Sequence, residues 1–160
     1  MQEIKITTTL TCYDNIEELP QDIQKLMEHA VAARKKAYAP YSNFRVGAAL
    51  QLENGKIVTG SNQENASYPS GLCAERTAIF YAGAKYPNAK MLKMALTASS
   101  QNQVTDKPIP PCGACRQSIA EYEIKQNSPI EIYFMGAVGK VVKSKSLANL
   151  LPLIFESSVL

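Results

Sequence analysis

Two short stretches, Cys73-Ala74-Glu75-Arg76 and Pro111-Cys112-Gly113-Ala114-Cys115-Arg116-Gln117, constrain this chain more than any other part of it. A Cys-x-x-Cys pair and a third cysteine far upstream offer three thiolates. That is enough to hold a tetrahedral Zn²⁺ and leave its fourth position open for water. Glu75 is badly suited to be a fourth ligand, because it is too close to Cys73 on one helical turn to share a metal comfortably. It is well placed to face the metal-bound water instead and to move its proton, which is general acid–base work. The same residues allow a non-enzymatic reading: a structural zinc or thiol module, with Cys12 as fourth ligand or Cys112–Cys115 as a metal-free redox pair in a thioredoxin-like frame. The fourth ligand, water or Cys12, separates the two.

Four cysteines could instead form two disulfides. The opening residues, Met1-Gln2-Glu3-Ile4-Lys5-Ile6, contain no long apolar stretch, so neither a signal peptide nor a membrane span is expected. The expectation is a cytoplasmic protein with reduced thiols, where metal ligation is the better account of the cysteines. A chain of 160 residues, 46% hydrophobic and 19% charged, suits one globular domain with a real core. Its net charge of +3 is modest. The lysines stand in small groups without interleaved aromatics, which gives a nucleic-acid partner no support.

Hydrophobic periodicity places the elements. Ile4, Ile6, Thr8, Leu10 and Cys12 alternate with polar residues, predicting a strand over residues 4–12 with Cys12 on its apolar face. Ile23, Leu26, Met27, Ala30, Ala33 and Ala37 form a stripe predicting a helix from Pro20 to about Tyr38. The only histidine, His29, reads as a surface or half-buried residue of that helix. Strands over 44–52 and 56–61 flank Asn54-Gly55, the preferred type I′ hairpin pair. Helices are expected from Cys73 to about Ala84 and from Cys112 to about Tyr122, with a buried strand over 91–99 between them. Strands over 130–135 and 140–143 follow, joined by so short a turn that they must be antiparallel. A short helix over 147–151, capped by Ser146, closes the chain.

The ordered set Cys73-Ala74-Glu75 and Pro111-Cys112-Gly113-Ala114-Cys115-Arg116-Gln117 resembles the zinc-dependent cytidine deaminases of the short, three-cysteine, homotetrameric type. Tyr41 to Leu50, Asn62 to Pro69 and Leu150 to Phe155 resemble family segments as well, so the likeness spans roughly residues 20–155. The resemblance implies a three-layer α/β/α fold with a mixed five-stranded sheet, here carrying an N-terminal strand extension. Residues 1–19 form that extension and 20–160 the deaminase domain. Antiparallel last strands match the free-nucleoside branch, whereas the polynucleotide-editing branches have them parallel.

The implied chemistry is hydrolytic deamination of cytidine and deoxycytidine in pyrimidine salvage, with one Zn²⁺ per chain on Cys73, Cys112 and Cys115. Zinc-bound hydroxide adds at C4 while Glu75 shuttles protons to N3 and to the departing amine. The resemblance casts Phe44, Asn62, Glu64, Ala74, Tyr68 and Phe155 as substrate-binding residues, the last two serving a neighbouring subunit's pocket in a homotetramer. Arg76 and Arg116 are expected to offset the cluster's negative charge. The tail Glu156-Ser157-Ser158-Val159-Leu160 departs from the Gly-Pro type common in the family, which keeps another cytosine nucleoside, such as blasticidin S, as an alternative substrate.

Overall fold

The computed structural model describes residues 1–157, and the tail residues 158–160 lie outside the described residues. In chain order the regular elements are β1 (Thr11–Tyr13), α1 (Gln21–Arg34), β2 (Phe44–Leu52), β3 (Ile57–Ser61), α2 (Ala74–Lys85), β4 (Met91–Ser100), α3 (Gly113–Gln126), β5 (Glu131–Met135) and β6 (Val141–Ser144). Single 3₁₀ turns cover Ile16–Glu18, Tyr68–Ser70 and Leu147–Asn149, and the side chain of Ser146 caps the last by accepting from Ala148 N–H.

The strands form one sheet in the order β1-β6-β5-β4-β2-β3. Only β4 and β5 run parallel, across the α3 crossover, and β5 and β6 are antiparallel as their short connection requires. The sheet therefore has six strands: five in the expected mixed arrangement and β1 added outside β6.

Period-two alternation divides the core into two layers. Ala48, Leu50, Met94, Leu96, Ile132 and Phe134 face α2 and α3. Their neighbours Ala49, Ala95, Tyr133 and Met135 face α1, packing on Ile23, Leu26, Met27 and Ala30. Leu19 is buried in this second layer, with Tyr13 and Ile16 packed against it. The result is the expected α/β/α sandwich. His29 is exposed on α1. No helix among the described residues is long and apolar enough to cross a membrane.

Four local expectations need correction. The first strand covers only Thr11–Tyr13, because its partner β6 offers only Val141 to Lys143 for pairing. Cys12 is exposed, on the face of β1 opposite Tyr13, the residue that packs on the α1 layer. Helix α1 stops at Arg34 because Tyr38 is drawn into tertiary bonds, its N–H donating to Asn62 O and its carbonyl accepting from Glu64 N–H, at 3.0 and 2.9 Å. The hairpin turn is not type I′: Gly55 has φ +78° but Asn54 has no positive φ. Instead Leu52 O accepts from Gly55 N–H at 3.0 Å, the pattern of a three-residue loop with glycine in the left-handed position.

Candidate active site

Cys73 and Cys112 occupy the residues just before α2 and α3, both in extended conformation, and neither side chain caps a backbone N–H of its own helix. The exposed N–H groups at each helix start carry partial positive charge, so both sulfurs stand where a helix stabilises negative charge. Glycine fixes where α2 begins. A Cβ on Gly60 of β3 would collide with Ala74 O and approach Ala78 N to 2.6 Å, so only glycine lets the helix start lie directly on the sheet. Ala74 is fully buried in this contact.

Cys115, one turn into α3 and fully buried, completes a triangle whose sulfurs all lie within 4.8 Å of one another. Cys73 Sγ and Cys112 Sγ are 3.8 Å apart. Zn–S bonds of about 2.3 Å at tetrahedral angles separate sulfurs by about 3.8 Å, so the donor set and its spacing fit zinc. Cys12 stands apart on β1, paired with Val142, and is not in the cluster. The structural module thus lacks its fourth cysteine.

The charges around the sulfurs are uneven. The Cys115 thiol, the Arg76 guanidinium and Cys112 lower Cys73 to about 5, against the opposing cost of burial. Interaction with Cys73, together with burial, pushes Cys115 up, so Cys73 is the first of that pair to ionise. Arg76 Nη2 approaches Cys73 Sγ at 3.8 Å, and the same contact raises the arginine. Its buried Nε has no hydrogen-bond partner. The Arg116 guanidinium is bonded to backbone. Its Nε donates to Pro111 O and its Nη1 to Leu150 O, both at 2.8 Å. Those carbonyls, one just before α3 and one ending the last 3₁₀ turn, claim the guanidinium for the chain segments flanking the site.

Glu75 sits in the first turn of α2 and is only 5% exposed. Burial pushes its carboxyl above the ordinary glutamate range, and the negative charge on Cys73 adds to the rise. It borders a cavity of about 460 Å³ that it shares with Cys73, Cys112, Phe44, Asn62 and Glu64. Two helix starts, the start of β2 and one loop thus bring together six of the residues singled out in the sequence.

Phe44 opens β2 beside Ser100 of β4. Asn62 stitches the neighbouring backbone: its Oδ1 accepts from Val46 N–H at 2.7 Å and its Nδ2 donates to Phe44 O at 2.9 Å. Glu64 accepts from Tyr41 N–H at 2.9 Å, from Ser42 N–H at 3.2 Å and from the Ser42 hydroxyl. These bonds, the hydroxyl first, hold its carboxyl below the usual range. An amide and a carboxylate offer more sites than these bonds use, so both can still meet a ligand hydroxyl. Three expected substrate residues do not line this cavity, and one of them, Ala74, is fully buried at the start of α2. Tyr68, 75% exposed, packs edge-on to Tyr41 in an adjoining cavity, and Phe155 is 62% exposed with its carbonyl held by Gln117 Nε2 at 2.8 Å.

Sequence reasoning missed Ser42, Thr97 and the Ile109-Pro110 segment, which also line the catalytic cavity. Ser42 lies in the Tyr41-Ser42-Asn43 run and had a visible signal: Asn43 takes a left-handed φ of +55°, a turn residue before a strand. Thr97 had none, because its place at the end of a buried strand follows from register alone.

Residues 20–128 match the model of the cytidine and deoxycytidylate deaminase zinc-binding region. The chain is 40% identical over 131 residues to a cytidine deaminase of Sporosarcina psychrophila, covering 82% of this chain and 89% of that one. A cytidine deaminase of Halalkalibacterium halodurans is 47% identical over 100 residues, 62% of this chain and 71% of the other. The crystal structure of a Burkholderia pseudomallei cytidine deaminase superposes with a TM-score of 0.72 at 42% identity, spanning 86% of this chain and all of that one. Fold and site define a zinc-dependent hydrolase of the α/β/α class. This chain belongs to the cytidine and deoxycytidylate deaminase family.

Proposed function

We propose that the protein deaminates cytidine and deoxycytidine hydrolytically, consuming one water and releasing uridine or deoxyuridine and ammonia. One observation carries this reading: a buried Glu75 lies beside three sulfurs at zinc-binding spacing, in a cavity that also holds Phe44, Asn62 and Glu64. A Zn²⁺ held by Cys73, Cys112 and Cys115 supplies Lewis-acid activation of water at the site.

The chain's own groups do the rest. Glu75 accepts the proton of the attacking water and passes it to the ring N3, then carries a second proton to the exocyclic amine so that ammonia departs. Its upward shift, caused by burial, suits a group that both takes and gives a proton within one turnover. Phe44 packs on the base, and Asn62 and Glu64 accept or donate to ribose hydroxyls while holding the wall they belong to. Arg76, beside Cys73, offsets the excess negative charge of three thiolates. The test is the fall in cytidine absorbance with equimolar ammonia release, on protein carrying one zinc per chain. Absence of turnover with cytidine and deoxycytidine by zinc-loaded protein rejects the assignment.

The active form is a cytoplasmic homotetramer with shared active sites. Support comes from Tyr68 and Phe155, large rings exposed on this chain and so available to complete a neighbour's pocket. Phe155→Ala is expected to raise KM for cytidine about tenfold, the loss of one aromatic contact worth some 1–2 kcal/mol. Zinc content stays at one per chain. Steady-state kinetics and metal analysis on one preparation check this, and an unchanged KM removes Phe155 from the pocket.

A further inference from the structure

We infer that the segment from Ile4 to Cys12 is a pairing arm that joins a second copy of this chain, strand to strand, about a two-fold axis through Thr8. Strand β1 is the outermost strand of its sheet, so its far edge is open. An open edge presents unpaired N–H and C=O groups at ladder spacing, a template for another strand. Residues 1–10 are all exposed, and the alternating side chains Ile4, Ile6 and Leu10 are 85%, 49% and 43% exposed. Their own chain cannot extend the ladder to them. Strand β6 turns away at Ser144, whose hydroxyl donates to Ser146 O at 2.7 Å as the next turn begins.

The pattern itself selects the occupant. An isologous antiparallel pair centred on a residue keeps each side chain opposite one from the same face. Centring on Thr8 sets Ile4 opposite Cys12, Ile6 opposite Leu10, and Thr8 opposite its own copy. The whole face is then apolar apart from a threonine pair, a favourable cross-strand match. Centring on Thr9 instead puts Ile4 opposite Asp14, and centring on Thr7 puts Gln2 opposite Cys12. A centre between two residues sets apolar side chains opposite polar ones. One register out of these makes the arm complementary to itself. The face carrying Cys12 is also that of Val142, which borders the α2 and α3 layer, so the pairing continues an existing apolar surface.

Disulfide trapping tests both the pairing and its register, in a Cys12→Ser background with the zinc site loaded. In the two-fold pair, position 8 meets its own copy at a Cα separation of about 4.5–5.5 Å, within disulfide reach. Position 6 lies about 13 Å from its own copy, beyond reach. Thr8→Cys therefore forms a covalent dimer under mild oxidation at least about tenfold faster than Ile6→Cys, since only the former geometry closes a bond. The double variant Ile6→Cys, Leu10→Cys links as readily as Thr8→Cys. Equal rates for Thr8→Cys and Ile6→Cys, no linked dimer from Thr8→Cys, or a ladder of higher species from it would each overturn the inference. The arm lies outside the catalytic cavity, so all variants deaminate cytidine like the parent chain if the proposed function is correct. Loss of that activity in the parent leaves the trapping result unaffected.

Discussion

Glu75→Gln is expected to leave a folded, zinc-loaded protein that converts cytidine at least about three to four decades more slowly, the upper range for losing a general acid–base group. The glutamine keeps the shape and reach of the side chain but cannot accept a proton from water. Because Glu75 serves more than one proton transfer in a turnover, its removal is felt at each. The fold tolerates the change. Burial already favours the uncharged carboxyl, and a neutral amide of the same size lowers the desolvation cost at this position. Zinc stays near one per chain, since the three sulfurs hold it without the carboxylate. Unreacted cytidine still binds, through Phe44, Asn62 and Glu64. Turnover within tenfold of the wild type would end the proton-carrier assignment, and loss of zinc together with activity would make Glu75 a structural residue.

The parts of this site that were legible in the sequence are those fixed by short-range covalent spacing. Cys112-x-x-Cys115 at a helix start brings two sulfurs to one side, and Cys73 with Glu75 at a second helix start needs only that the two starts meet. Packing of glycine on backbone at Gly60, which seats the start of α2 on the sheet, is announced by no spacing rule. Misreadings fall where distant backbone decides. The stripe of α1 continues to Ala37, yet the helix yields at Arg34 to the Tyr38 bonds with Asn62 and Glu64. The alternation of residues 4–12 is real, but a strand exists only where a partner strand lies beside it. Arg116 stands one residue after Cys115, and that its guanidinium bonds two backbone carbonyls, one of them 34 residues away, is not written in that spacing. The resemblance names Glu64 as a substrate residue. That it also anchors the backbone at Tyr41 and Ser42, 23 and 22 residues upstream, is visible only in three dimensions.

The same separation between carrying protons and holding the metal gives the second large effect. Cys115→Ser removes the one fully buried sulfur of the triangle, leaving Cys73 and the exposed Cys112. Two thiolates do not secure a zinc site that uses three protein ligands, and a neutral serine hydroxyl is a poor substitute for a thiolate. Zinc content should fall from one per chain to a small fraction, and deamination should fall at least as far as in Glu75→Gln. The mechanism of loss differs in a measurable way: Glu75→Gln keeps zinc and loses chemistry, whereas Cys115→Ser loses both. Added zinc restores part of the activity in Cys115→Ser and none in Glu75→Gln. Cys12→Ser supplies the control, because its thiol lies on the outer strand and its removal should change neither zinc content nor rate. Elemental analysis of the three proteins beside their cytidine turnover decides the matter. Full zinc retention in Cys115→Ser, or zinc loss in Cys12→Ser, would mean that the metal is not held by the triangle of Cys73, Cys112 and Cys115.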